Sequence, residues 1–180
     1  MLTAQQQVLV QAIEELDLAQ VQRLLADGLD PNFMDAEKGP VISVWSDGLF
    51  QWWEKVCEAY EAGQPLTEQQ KQQDLQVHLE ILEALIQAKV NLHLWDAEEI
   101  YGPLWDAASA ACVPAVQRLL DEKVDPNSKD EDGLTILSSI SDLLFDCDFD
   151  EIQWSDALPE EQQTLEVLRR YGAKMSKELA

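Results

Sequence analysis

Apolar positions recur along this chain at helical spacing, in blocks separated by short polar turns. Val8, Leu9, Ala12, Ile13 and Leu16 keep the i, i+3, i+4 rhythm of one helix face. Thr3, with Gln6 three residues on, supplies a capping box for a helix over residues 3–16. Asp17 caps a second helix from Leu18 to Ala26, with Leu18, Val21, Leu24 and Leu25 as its stripe and Gly28 as its stop. Further on, Val41, Ile42, Val44 and Trp45 predict a short helix after Gly39-Pro40. Leu49, Trp52, Trp53, Val56 and Tyr60 predict a separate helical stretch that ends at Ala62-Gly63-Gln64-Pro65. Thr67 and Gln70 open a long helix to about residue 88, striped by Leu75, Leu79, Leu82, Leu85 and Ile86. Residues 102–108 and 114–120 predict a compact helix pair. A last pair opens at Gly133-Leu134-Thr135-Ile136-Leu137 and closes through Leu165, Val167, Leu168 and Gly172. In that closing helix, Glu160 and Glu161 at the start and Arg169 and Arg170 at the end complement the helix dipole.

One block occurs twice. Residues 21–32 (VQRLLADGLDPN) and 116–127 (VQRLLDEKVDPN) agree at eight of twelve positions. A helix end that closes twice on Asp-Pro-Asn indicates a repeat architecture. Equivalent leucines lie 61, 34 and 49 residues apart (Leu24, Leu85, Leu119, Leu168). Against a unit of about 33 residues, the second repeat carries an insert at approximately 46–74 and the fourth one at approximately 142–159. Compact repeats therefore alternate with expanded ones.

These blocks resemble the ankyrin-repeat family. Gly102-Pro103-Leu104-Trp105-Asp106-Ala107 and Thr135-Ile136-Leu137-Ser138-Ser139-Ile140 match the family's Thr-Pro-Leu-His-x-Ala opening in part, and Gly39 to Val44 matches it more loosely. The family's Val-x-x-Leu-Leu…Gly-Ala-Asp-x-Asn closing matches Val21 to Asn32 and Val116 to Asn127, and matches Leu82 to Asn91 and Leu165 to Lys174 in part. The resemblance implies an all-α solenoid of about four helix-turn-helix repeats, read as a single domain over residues 1–180. Where the family has its histidine this chain has Ile42, Trp105 or Ser138, which implies less regular turn tips. The family resemblance also implies a rigid scaffold for protein recognition with no catalytic site of its own.

Charge sharpens that expectation. The formal net charge is −23 at pH 7, a field that repels nucleic acid and anionic membranes and attracts basic partners. Residues 142–161 hold eight acids (Asp142, Asp146, Asp148, Asp150, Glu151, Asp156, Glu160, Glu161) and no base. Asp146, Asp148 and Asp150 alternate as at the start of a calcium loop. The pattern then fails, with Glu151 where glycine is required and Ala157 where a bidentate glutamate is required. His78 and His93 are the only histidines, and neither stands in a zinc-ligand spacing. No nucleophile elbow or phosphate-cradling glycine loop is present. Cys57, Cys112 and Cys147 are far apart and read as semi-buried thiols of a reducing compartment.

The expectation is therefore a non-enzymatic module without metal or cofactor, monomeric when free, in the cytoplasm. It would bind a basic protein, neither nucleic acid nor membrane, as an inhibitor or immunity protein binds a toxin. The alternative is a general scaffold that binds through its concave repeat face and turn residues such as Asp30 and Asp125. The candidate contact residues are Asp142, Asp146, Asp148, Asp150, Glu151, Trp154 and Asp156 in the second insert, with Trp52 and Trp53 in the first. Tryptophans serve either as binding anchors or as packing seals at the expanded repeat.

Overall fold

A computed structural model describes residues 2–93, 102–130, 132–145 and 157–179, apart from the side chains of 143–145. These residues are mostly helical. The chain divides into two compact units, Met1–Gly102 and Pro103–Ala180. Each unit holds two of the four helix pairs expected from the repeats.

The first unit begins with α1 (Ala4–Glu14) and α2 (Leu18–Ala26). The Thr3 hydroxyl accepts from the Gln6 N–H at 3.2 Å, and the Gln6 side chain accepts from the Thr3 N–H at 2.9 Å, so the expected capping box forms. The turn between the helices is tight. Leu16 takes a left-handed conformation (φ 56°), and the Asp17 carboxylate accepts from the Gln20 N–H at 3.0 Å to start α2. Leu9, Ala12, Ile13, Val21 and Leu24 are buried between the helices and their neighbours. The short hairpin β1 (Met34–Asp35) and β2 (Gly39–Pro40) then leads into α3 (Val41–Glu61), which is followed by α4 (Glu68–Gln87).

Here the structure corrects the sequence reading. The short helix at Val41–Trp45 and the separate helical stretch after it are one unbroken helix of 21 residues. The region 46–74 is not an excursion between two short helices. It lengthens both, running on as α3 to Glu61 and opening α4 at Glu68. Burial is the cause, since Leu49, Trp52, Trp53, Val56 and Leu75 all turn inward, each contributing about 2 kcal/mol or more of apolar transfer. Gly63 (φ 68°) ends α3. α1 packs on α3 and α2 on α4, first helix on first helix and second on second.

The second unit repeats the plan with α5 (Pro103–Ser109), α6 (Val113–Asp121), α7 (Ile136–Phe145) and α8 (Pro159–Arg170). α5 packs on α7, and α6 on α8. Residues 142–145, assigned above to the insert, continue α7.

The two Asp-Pro-Asn turns perform one task in both units. The Asn32 amide donates to the Lys89 carbonyl at 3.1 Å and accepts from the Asn91 N–H at 2.6 Å. The Asn127 amide donates to the Gly172 carbonyl at 3.1 Å and accepts from the Lys174 N–H at 2.9 Å. Asp30 and Asp125 brace these turns, each accepting from the backbone N–H of its asparagine at 2.9 Å. Of the three positions where the resemblance implies a histidine, two are tied through side chains. Trp105 Nε1 donates to Ser128 Oγ at 3.2 Å, Ser138 Oγ accepts from the Ser176 N–H at 2.8 Å, and Ile42 is simply buried.

Each asparagine holds two backbone groups of the next turn, so Asn32→Ala and Asn127→Ala should each lower stability by about 1–2 kcal/mol. Urea unfolding followed by circular dichroism reads this directly. Seven of the helices end on a left-handed residue that reaches back along the helix: Leu16, Gly28, Gly63, Lys89, Ala111, Lys123 and Gly172. Two of these are lysines, which pay a steric penalty that glycine avoids. Lys89→Gly and Lys123→Gly should therefore each raise stability by about 0.5–1 kcal/mol in the same assay.

Candidate functional site

The sequence-based candidates separate. Trp52 and Trp53 lie side by side on α3, ring centroids 6.0 Å apart and planes tilted by 37°, and they are only 6% and 8% exposed. The aromatic rings that α3 does present to solvent are Phe50 and Tyr60. Asp142 is exposed on α7. Asp146, Asp148, Asp150, Glu151, Trp154 and Asp156 lie outside the described residues.

A different constellation gathers in the first unit. A cleft of about 430 Å³ is lined by Ile13, Glu14 and Leu16 at the end of α1, by one face of α3 from Val44 to Lys55, and by Asp74 and His78 of α4. One contact in it is unusual. Gly48 sits in the middle of α3, where glycine costs about 1 kcal/mol against alanine. A methyl group at that position would lie 2.8 Å from His78 Cε1 and 3.1 Å from His78 Nδ1. The missing side chain is the space that the imidazole occupies. The backbone carbonyl of His78 also accepts from Trp45 Nε1 at 2.8 Å, fastening α4 to α3 at the same level.

His78 is buried, with Nδ1 sealed from solvent and unpartnered. Burial holds its pKa below the usual value, which keeps the ring neutral at pH 7. Trp52 lines the same cleft, and its Nε1 is likewise sealed and unpartnered. Buried polar atoms in that state are uncommon and costly.

The rim is charged. Lys38 pairs with Glu14, and Lys55 pairs with Asp74. Asp47 has no ion-pair partner among the described residues. The surrounding protein and the Glu14 charge raise its pKa, with Lys38 acting in the opposite direction. Asp74 stands one turn before His78 on α4, a proximity that the zinc-spacing reading of the histidines passed over. Among the described residues no group of three or more His, Cys, Asp and Glu could hold a metal ion. Cys112 is deeply buried in the second unit, and burial pushes its thiol up to about 12, so its packing role is inert chemically.

The cleft left one trace in the sequence. Gly48 interrupts the apolar stripe formed by Trp45, Leu49 and Trp52, as an isolated helical glycine does where something packs closely. Which residue fills that gap depends on the approach of α4.

Comparison with known protein-family models gives no match, and comparison with curated proteins gives none either. Among the described residues no helix is long and apolar enough to cross a membrane.

Gly48→Ala should destabilise the protein by about 1–2 kcal/mol, because the cost of overpacking against His78 exceeds the gain in helix propensity. Thermal melting shows the sign. His78 is depressed in the folded state, so its contribution is fully present above the unfolded pKa of about 6.5 and is lost as pH falls through the folded value. Stability should therefore fall as pH drops below about 6.5, with a smaller slope in His78→Gln, as measured by urea unfolding at stepped pH.

Proposed function

We propose that this chain is an ankyrin-like, non-catalytic binding module that captures one basic protein, in the manner of an inhibitor or immunity protein acting on a toxin. The observation that carries this reading is the net charge of −23 borne by 180 residues. Such a field steers a basic partner to the surface and speeds capture. Supporting it, the paired helices stack first on first and second on second, and asparagine side chains tie successive turns. A scaffold held this way is pre-organised, so little conformational entropy is lost on binding.

The alternative of a general scaffold places its footprint on turn residues such as Asp30 and Asp125. Both carboxylates are already engaged with their own asparagines. That gives them a structural task and favours contacts elsewhere.

The test is co-purification from the source cell's lysate at low salt, followed by affinity measurement on the purified pair. The expected result is a single basic protein whose affinity falls by at least about tenfold between 50 and 300 mM salt, as screening removes the long-range attraction. A partner without a basic patch, or an affinity indifferent to salt, overturns the proposal. Changing Asp146, Asp148 and Asp150 together to Asn reports whether the second insert carries the contact.

A further inference from the structure

α4 is long, but its first half is thinly anchored. From Glu68 to Val77 the only buried residue is Leu75, and five of the ten are glutamines. The next buried position is His78, and Ile81, Leu82 and Leu85 follow only after it. Segments with few buried contacts open locally while the rest of a domain stays folded. The first half of α4 therefore depends on Leu75 and His78 to stay against α3.

The seat of His78 fits one charge state. The ring edge that carries Cε1 and Nδ1 lies so close to Gly48 of α3 that a methyl group there would stand 2.8 and 3.1 Å from those atoms. Nδ1 is sealed and unpartnered. An imidazolium donates from both ring nitrogens, and this one finds no acceptor at Nδ1. A neutral ring leaves one uncharged atom unsatisfied. A charged ring leaves a buried cationic donor unsatisfied, which costs more. Burial alone acts on the seated ring, with no neighbouring charge to offset it, and it lowers the pKa.

A charged ring has a place to go. The cleft beside it, of about 430 Å³, has room for an imidazole. α1 brings Glu14 to that cleft, α3 brings Asp47 and Lys55, and α4 itself brings Asp74. Lys38 sits on Glu14, and Lys55 on Asp74. α2 also packs on α4 but adds no charged residue there. Carboxylates thus outnumber ammoniums around the cleft. Asp74 stands four residues before His78, a spacing at which opposite charges pair on a helix.

We propose that His78 is a proton-operated latch between α3 and α4. Neutral, it seats on Gly48 and pins the first half of α4. Protonated, it turns out into the cleft and releases that half, while Ile81, Leu82 and Leu85 keep the core closed. A group that binds its proton only when unseated favours release as pH falls below its free value of about 6.5. The ratio of released to latched chains then rises by up to about thirtyfold between pH 8 and pH 5. The latch stands apart from the proposed capture of a basic protein, and neither depends on the other.

The test is backbone amide hydrogen exchange of the full chain at pH 8 and pH 5, corrected for the intrinsic pH dependence of exchange, with the His78 ring titration followed by NMR. Protection of residues 71–78 should fall severalfold or more at pH 5, up to about thirtyfold, while that of residues 82–87 and of α2 holds. His78→Gln keeps a neutral polar side chain, so its residues 71–78 should show no pH step. Gly48→Ala fills the seat. His78 in that variant should titrate closer to 6.5, and residues 71–78 should exchange faster already at pH 8. Gly48→Ala alone decides the matter where His78→Gln does not fold. A ring titration with no change in protection, the same pH step in His78→Gln, unchanged behaviour in Gly48→Ala, or an equal loss of protection across the whole first unit overturns the latch.

Discussion

An asparagine amide carries a donor and an acceptor in the arrangement of a peptide group. Both units use one to close their turns. A chain leaving a helix at its C-terminus has unpaired carbonyls and enters a turn too short to form a sheet of its own. Asn32 reaches the backbone at residues 89 and 91, and Asn127 reaches it at residues 172 and 174, supplying the pairing that a neighbouring strand would otherwise give. Asp30 and Asp125 hold the asparagines in place from two residues before. These bonds are exposed and individually modest, but they set the register between helix pairs. Once that register is set, Leu24, Leu82 and Leu85 meet in one core and Leu119, Leu165 and Leu168 in the other.

The first unit then departs from a plain repeat by lengthening α3 and α4. Two long helices give more buried area, but they also bring polar groups inside. His78 and Trp52 each bury an atom that no neighbour satisfies, and Ser43 and Thr164 do so elsewhere in the chain. In a domain stabilised by a margin of about 5–15 kcal/mol, such atoms are expensive. They persist where the surrounding packing is strong enough to carry them.

Acidity acts at a different range. A field of this sign attracts basic molecules, and salt screens that attraction beyond about 8–10 Å. Selection among basic partners requires contacts inside that distance, with fixed geometry and restricted water. The two effects are separable, since the long-range field responds strongly to salt and short-range contacts respond much less.

Much of the helical framework was legible from residue order. Thr3 and Gln6, Asp17, Thr67 and Gln70, and the glycines at 28, 63 and 172 mark helix ends through local hydrogen bonds and left-handed backbone, which depend on neighbours a few residues away. The duplicated Asp-Pro-Asn block marked where two turns would close. The unbroken α3 was not legible, because Gly48 and the polar residues around it imitate a break, and only burial of Leu49, Trp52 and Trp53 against another helix overrides that signal. The cleft was not legible either. Glu14, Asp47, Asp74 and His78 come from three helices as far apart as residues 14 and 78, and no spacing within one segment relates them. Local sequence thus determined where helices start and stop, since caps and turns are short-range physics. Tertiary packing alone decided how long the second pair would run and which charges would face one another, since burial and electrostatics depend on distance in space.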